Sequence, residues 1–203
     1  MKIAMLGWGS LLWEGGSEFD KWHGPWEFDG PAIPLEFSRI SKKRIGALTL
    51  VIDESNGSPT KVAWCLSKRP NAKDALSDLR ARECTSLENI GVVDLSPTAG
   101  VPNDAGVDGQ IYAWAKSQEL DVVIWTALKS NFRNKTKQPF SVESAVSYLE
   151  TLTPDAKLKA AEYIIRAPEF VRTPLRLTLQ TEPWFLSVCS PSQTGRLSAG
   201  IRD

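Results

Sequence analysis

Four strand-like runs lie early in the chain, and their spacing restricts the topology more than any other feature. Lys2 to Leu6, Ile33 to Ile40, Ala47 to Ile52 and Val62 to Leu66 are short, aliphatic or β-branched, and partly alternating. The last three follow one another at gaps too short for the crossover of a dozen or more residues that parallel neighbours need, so antiparallel pairing is expected. A helix then runs from Pro70-Asn71 to about Glu83, with Asn71 as its cap and Ala72, Ala75, Leu76 and Leu79 as its apolar stripe. Beyond it, Ser96 to Asp108 reads as loop and Gln110 to Ala115 as a strand. Asp121 to Phe132, Val142 to Leu149 and Asp155 to Ile165 read as helices, the last opened by Thr153-Pro154. Phe170 to Leu186, interrupted by Pro174 and Pro183, is predicted to wrap extended over the body, and 189–203 to be a polar tail. Strands first and helices later is the order of an α+β fold, not of a doubly wound parallel sheet.

At 203 residues the chain fits a single domain, with residues 1–115 as core and 116–188 as a helical and extended elaboration. Its 24 basic and 24 acidic side chains cancel, which leaves no overall basic field for nucleic acid, although a local patch is compatible with that balance. Cys65, Cys84 and Cys189 are odd in number and form no Cys-x-x-Cys pair, as expected of reduced thiols in a cytoplasmic protein. A single histidine excludes a His-rich metal site, and no metal or cofactor is predicted. The apolar start is too short for a signal peptide and no run is long enough for a membrane span, so no membrane association is expected. Four of the eight tryptophans, Trp8, Trp13, Trp22 and Trp26, crowd the first 26 residues, either as packing around the first strand or as the wall of a pocket.

Two places could carry chemistry. Gly7-Trp8-Gly9-Ser10-Leu11 follows the first strand, and a glycine-rich turn there is either a ligand-free tight turn or a nest of backbone N–H groups suited to a carboxylate or phosphate. Leu12 occupies the third glycine position of a dinucleotide fingerprint, and the Gly-Lys-Ser/Thr ending of a P-loop is missing. The second place is Glu83. At 100° per residue it falls about 20° from Leu76 on the helix wheel, inside the apolar stripe. A carboxylate held there has its pKa raised by desolvation, as a general acid or base near neutral pH requires, unless the helix ends first or Arg80 or Arg82 pairs with it. Asp78 and Arg82 are spaced for an exposed helix pair, Glu36, Arg39, Asp53 and Glu54 for a solvated strand face, and Cys84 for a buried, inert thiol. His23, between Trp22 and Gly24-Pro25, reads as a loop residue.

The opening Met-Leu-Gly-Trp-Gly-Ser-Leu-Leu-Trp resembles the γ-glutamylcyclotransferase-like superfamily, in particular its glutathione-degrading branch, through Gly7, Gly9, Ser10, Leu11 and Trp13. Arg82-Glu83 falls where that family carries its catalytic glutamate, while Trp8 stands in place of the family's tyrosine. The resemblance covers about residues 2–115. It implies a small mixed, mainly antiparallel β-barrel with flanking helices, the extra C-terminal helices lying outside the match. It also implies a γ-glutamyl small molecule held by Gly7, Trp8, Gly9, Ser10 and Leu11, with Glu83 relaying the proton. The implied reaction is attack of the γ-glutamyl α-amine on its own γ-carbonyl, which releases 5-oxoproline and an amine, amino acid or dipeptide. A non-catalytic module binding a small acidic metabolite on the same loop is the alternative. The later helices are expected to cap the pocket or to form a subunit interface.

Overall fold

The computed structural model describes residues 1–97, 99–102 and 106–189. Among these described residues seven strands are formed: β1 (Ile3–Gly7), β2 (Ala32–Ile40), β3 (Leu48–Ile52), β4 (Ser58–Lys61), β5 (Ala63–Leu66), β6 (Ile90–Asp94) and β7 (Val122–Thr126). The helices are α1 (Ala72–Glu83), α2 (Val107–Ser117), α3 (Phe132–Thr136), α4 (Val142–Glu150), α5 (Pro154–Arg166), α6 (Pro174–Leu179) and α7 (Pro183–Cys189). The class is α+β, with the strands in two sheets of order β5-β1-β7-β6 and β3-β2-β4. The short-gap expectation holds for Ile33 to Ile40 and Ala47 to Ile52, since β2 pairs antiparallel with β3. It does not hold for Val62 to Leu66: that run is β5 and pairs with β1 in the other sheet, while β4, a strand the sequence reading does not predict, pairs with β2. The first sheet is mixed: β1 is antiparallel to β5 and parallel to β7.

The sheets are not closed into a barrel, but they share chain and edges. β4 pairs with β2, the chain passes through buried Val62, and β5 then pairs with β1, so one extended segment serves both sheets. On the other side Ile52 of β3 forms an isolated bridge to Lys129, just after β7.

The two central strands of the first sheet, β1 and β7, are buried on both faces, which explains the largest misreading of the sequence. Along β1, Ile3 and Met5 join a cluster with Ala75 and Leu79 of α1, while Ala4 and Leu6 join the main core with Ile33, Leu35 and Phe37 of β2. Residues 122–125 of β7 divide in the same way, Val122 and Ile124 to one side and Val123 and Trp125 to the other. A strand covered on both faces loses its period of two, and such an apolar run resembles a buried helix. The predicted helix from Asp121 to Phe132 is therefore β7 followed by a loop, with Phe132 opening α3. The reverse error occurs at Gln110 to Ala115, which is the middle of α2. Its buried positions Val107, Ile111 and Ala115 are spaced by four, and the loop-like composition before Gln110 concealed the first of them.

Phe170 to Leu186 is not extended. Pro174 and Pro183 are the first residues of α6 and α7, where a missing N–H and a fixed φ suit a helix start. The Thr173 hydroxyl accepts from the Arg176 N–H at 3.3 Å, capping α6. Helices α4 and α5 lie where they were expected, and α5 opens on Thr153-Pro154. The polar tail from Ser190 lies outside the described residues.

Glu36 is not on a solvated face. It is fully buried, at a register shift in the β2–β3 pairing, and its carboxylate accepts from the N–H groups of Phe37 at 2.7 Å and Leu175 at 3.4 Å, tying β2 to α6. Asp53, also buried, closes the turn after β3 by accepting from the N–H groups of Ser55 and Asn56. Among the described residues no helix is long and apolar enough to cross a membrane.

Two outcomes are expected. Leu79 is completely buried under β1 and β7, so Leu79→Ala lowers the unfolding free energy by about 2–5 kcal/mol in urea denaturation, while Leu79→Met costs under about 1.5 kcal/mol. Desolvation raises the Glu36 pKa above its ordinary 4.5, so the folded chain holds that proton to higher pH than the unfolded chain. The stability this contributes is present at low pH and is lost as pH rises through the raised value. Unfolding free energies measured across this range fall with rising pH, and fall less steeply in Glu36→Gln.

Candidate functional site

The sequence places the glycine loop more than 70 residues before Glu83, and the fold opens both onto one cavity of about 470 Å³. Gly7, Trp8, Gly9, Ser10 and Leu11 all line it, and Glu83 and Cys84 line it from the end of α1. The loop leaves β1 and folds into a short 3-10 turn over Ser10–Leu12, in which the N–H of Leu12 bonds to the Gly9 carbonyl at 2.9 Å.

The two loop glycines are required by close approach and not by backbone conformation. Neither has a positive φ. A methyl on Gly7 would lie 2.9 Å from the Trp26 ring, and one on Gly9 would lie 2.6 Å from the Tyr163 hydroxyl. The crowd of tryptophans is thus mainly packing. Trp26 presses on Gly7, Trp22 stacks under the Arg69 guanidinium at 3.7 Å, Trp13 meets Tyr163 edge-on at 5.4 Å, and of these four only Trp8 lines the cavity.

Helix α1 ends at Glu83 because Cys84 takes the left-handed conformation, with φ 49°. Asn71 caps the other end, its side chain accepting from the Asp74 N–H at 2.9 Å. Both sequence readings of Glu83 hold in part. Its side chain is 19% exposed, and Arg82 Nη1 lies 3.7 Å from its Oε1. Burial pushes its pKa up, opposed by the cations of Arg82 and Lys43. Arg82 does not pair with Asp78, which is held instead by two hydrogen bonds from Arg69 at 2.7 and 2.9 Å. Arg82 reaches across to the loop, donating from Nη2 to the carbonyls of Ser10 at 3.2 Å and Glu14 at 2.9 Å. One guanidinium therefore fixes the loop relative to the neighbouring glutamate. Glu14 lies between Arg82 and Arg44, and Arg44 hydrogen-bonds its carboxylate.

Tyr163 on α5 is the site residue that the sequence reading missed. It is buried against Phe37 and Trp13, with the Arg44 guanidinium 4.6 Å above its ring, and it lines the cavity. Burial pushes its phenol up to about 12, while the N–H groups of Leu50 and Ser10 turn toward its oxygen and oppose that shift. With Asn131 and Lys135, it makes the C-terminal half of the chain a wall of the pocket. The signal was present in the buried face of α5, Ala156, Ala160, Tyr163 and Ile164, where a tyrosine needs a partner for its hydroxyl.

Cys84 is exposed rather than buried. His23 sits off the cavity, 3.7 Å from Asp20 and packed on Phe19 and Trp26. Among the described residues no group of three or more His, Cys, Asp or Glu is placed to hold a metal ion. Neither a scan against protein-family models nor a search of curated proteins returned a match for the chain.

The contact between Gly9 and Tyr163 is directly testable. Gly9→Ala forces a methyl against the hydroxyl and destabilises by about 1–3 kcal/mol, as overpacking does. In a Tyr163→Phe background the next nearest atom is 3.8 Å away, an ordinary contact, so the double variant is more stable than the two single changes added together. Thermal denaturation of the four proteins measures that coupling.

Proposed function

We propose that the cavity binds a γ-glutamyl compound and cyclises it, releasing 5-oxoproline and the amine that was in amide linkage. The observation that carries this reading is the shared cavity: a glycine loop and a half-buried carboxylate whose charged form is disfavoured, tied together by Arg82. It joins the resemblance of Gly7-Trp8-Gly9-Ser10-Leu11 and Arg82-Glu83 to the cyclotransferase-like family. The two sheets, joined through Val62 and bridged at Ile52 and Lys129, are then the small barrel of that family in an open form.

In this mechanism the loop N–H groups hold the substrate α-carboxylate. Glu83 takes a proton from the α-amine as its nitrogen attacks the γ-carbonyl carbon. The new C–N bond closes the five-membered ring, the old amide C–N bond breaks, and the leaving nitrogen receives the proton from Glu83. The γ-glutamyl chain is flexible, and holding it bent at both ends brings nitrogen and carbonyl carbon together. Every carbon–nitrogen bond made or broken lies within the substrate, and only the proton passes through Glu83.

The rival reading is a module that binds an acidic metabolite without turning it over, and the cationic lining of the cavity fits it equally well. Release of 5-oxoproline from glutathione, γ-glutamyl amino acids and γ-glutamyl amines separates the two. Glu83→Gln is expected to lose about 10²–10⁴ of the rate. The base must be ionised to act, and burial keeps it protonated above its ordinary 4.5, so kcat/KM rises with pH around a midpoint above that value. Ligand binding without 5-oxoproline from any compound would establish the module instead.

A further inference from the structure

The chain is neutral overall, yet the charges lining the cavity are strongly one-sided. Arg39, Lys42, Lys43, Arg44, Arg82 and Lys135 line it, and among the described residues Glu83 is its only acid. Two of these cations are already matched, because Arg44 and Arg82 converge on Glu14. Lys43 acts electrostatically on Glu83. That leaves Arg39, Lys42 and Lys135 with no carboxylate within ion-pair distance among the described residues. Arg39 is half-buried and donates from Nη1 to the Lys129 carbonyl at 2.7 Å, a neutral acceptor. Its pKa is lowered by burial alone.

The cations are set on a fixed frame. Lys42, Lys43 and Arg44 occupy the turn between β2 and β3, which is closed by hydrogen bonds from the Gly46 N–H to the Ser41 carbonyl and from the Ser41 N–H to the Ala47 carbonyl, both 2.9 Å. Tyr148 of α4 donates to the Gly46 carbonyl at 2.8 Å and pins the turn from outside. Ile45 is held there with φ 47°, a conformation that a β-branched residue rarely adopts. Lys135 stands on α3, whose start is tied to β2 by Asn131, which accepts from the Ile40 N–H at 2.8 Å and donates to its carbonyl at 3.1 Å. Like charges fixed on two elements around one cavity repel one another, and a bound anion relieves that repulsion.

We propose that the portion of the substrate released as the amine is itself doubly anionic, a dicarboxylate such as an acidic amino acid, held by Arg39, Lys42 and Lys135. This rests on the cyclotransferase reading, in which the loop holds the α-carboxylate of the γ-glutamyl half, so the remaining cations face the leaving half. A monocarboxylate leaves part of the cationic rim unmatched, and a cationic leaving amine is repelled by it.

The test compares γ-glutamylglutamate, γ-glutamylglutamine and γ-glutamylputrescine, which differ mainly in the charge of the leaving amine, following both 5-oxoproline release and calorimetric binding. The expected kcat/KM for γ-glutamylglutamate exceeds that for its neutral isostere γ-glutamylglutamine by about tenfold or more, and γ-glutamylputrescine is the poorest. Added salt erodes the preference. Lys42→Gln combined with Lys135→Gln brings the ratio of the first two substrates toward one. Both positions are exposed, and a thermal melt reports that the variant is folded.

Equal turnover of the acidic and neutral compounds overturns the inference and leaves the cyclotransferase reading standing. Binding that keeps the acidic preference with no 5-oxoproline overturns the cyclotransferase reading, and the site is then one for acidic ligands. Neither turnover nor binding overturns both.

Discussion

The Arg82 guanidinium is the interaction on which the organisation of the cavity depends. Its side chain is 9% exposed, it caps the Ser10 and Glu14 carbonyls, and its chain neighbour is Glu83. Short glycine-rich turns have few side-chain contacts of their own, and a half-buried carboxylate is free to rotate away from its cavity. A planar donor with several N–H groups restrains both, since it holds two carbonyls at once while leaving Nη1 beside the glutamate. Loop and helix thus form a single unit although β2 to β5 intervene in sequence.

That unit is held in place by burial on both sides of the first sheet. Ile3 and Met5 pack toward α1, so the helix that ends at Glu83 lies directly under the strand that ends at Gly7. Ala4 and Leu6 pack toward β2 and the later helices, and this brings α5 and Tyr163 against Gly9. A single strand therefore fixes two walls of the cavity. Its neighbour β7 comes from beyond residue 115, so the central sheet is completed only after most of the chain has been laid down.

Electrostatics gives the cavity its character. One carboxylate kept partly out of water, beside several cations with few matching acids, suits a site that handles anionic molecules and moves protons. The cations around the cavity oppose the desolvation that raises the Glu83 pKa, so burial and charge pull its protonation in opposite directions.

Local chemistry was legible in the sequence wherever one short segment contains its own reason. Asn71 and Thr153-Pro154 start helices because their side chains or missing N–H satisfy the first turn. The short gap between β2 and β3 compels antiparallel pairing, whereas the next predicted run crosses to the other sheet. Glu83 stood out because a helix wheel is determined by spacing alone. Tertiary structure decided what depends on distant coverage. It made an apolar run into β7, since burial on both faces erases the period of a strand. It buried Glu36 under α6, sent Arg82 to Ser10 instead of Asp78, and brought Tyr163 and Lys135 to a loop more than a hundred residues away. A sequence fixes spacing along the chain, whereas the partner of a buried charge or hydroxyl is chosen by whichever distant group the packing brings within reach.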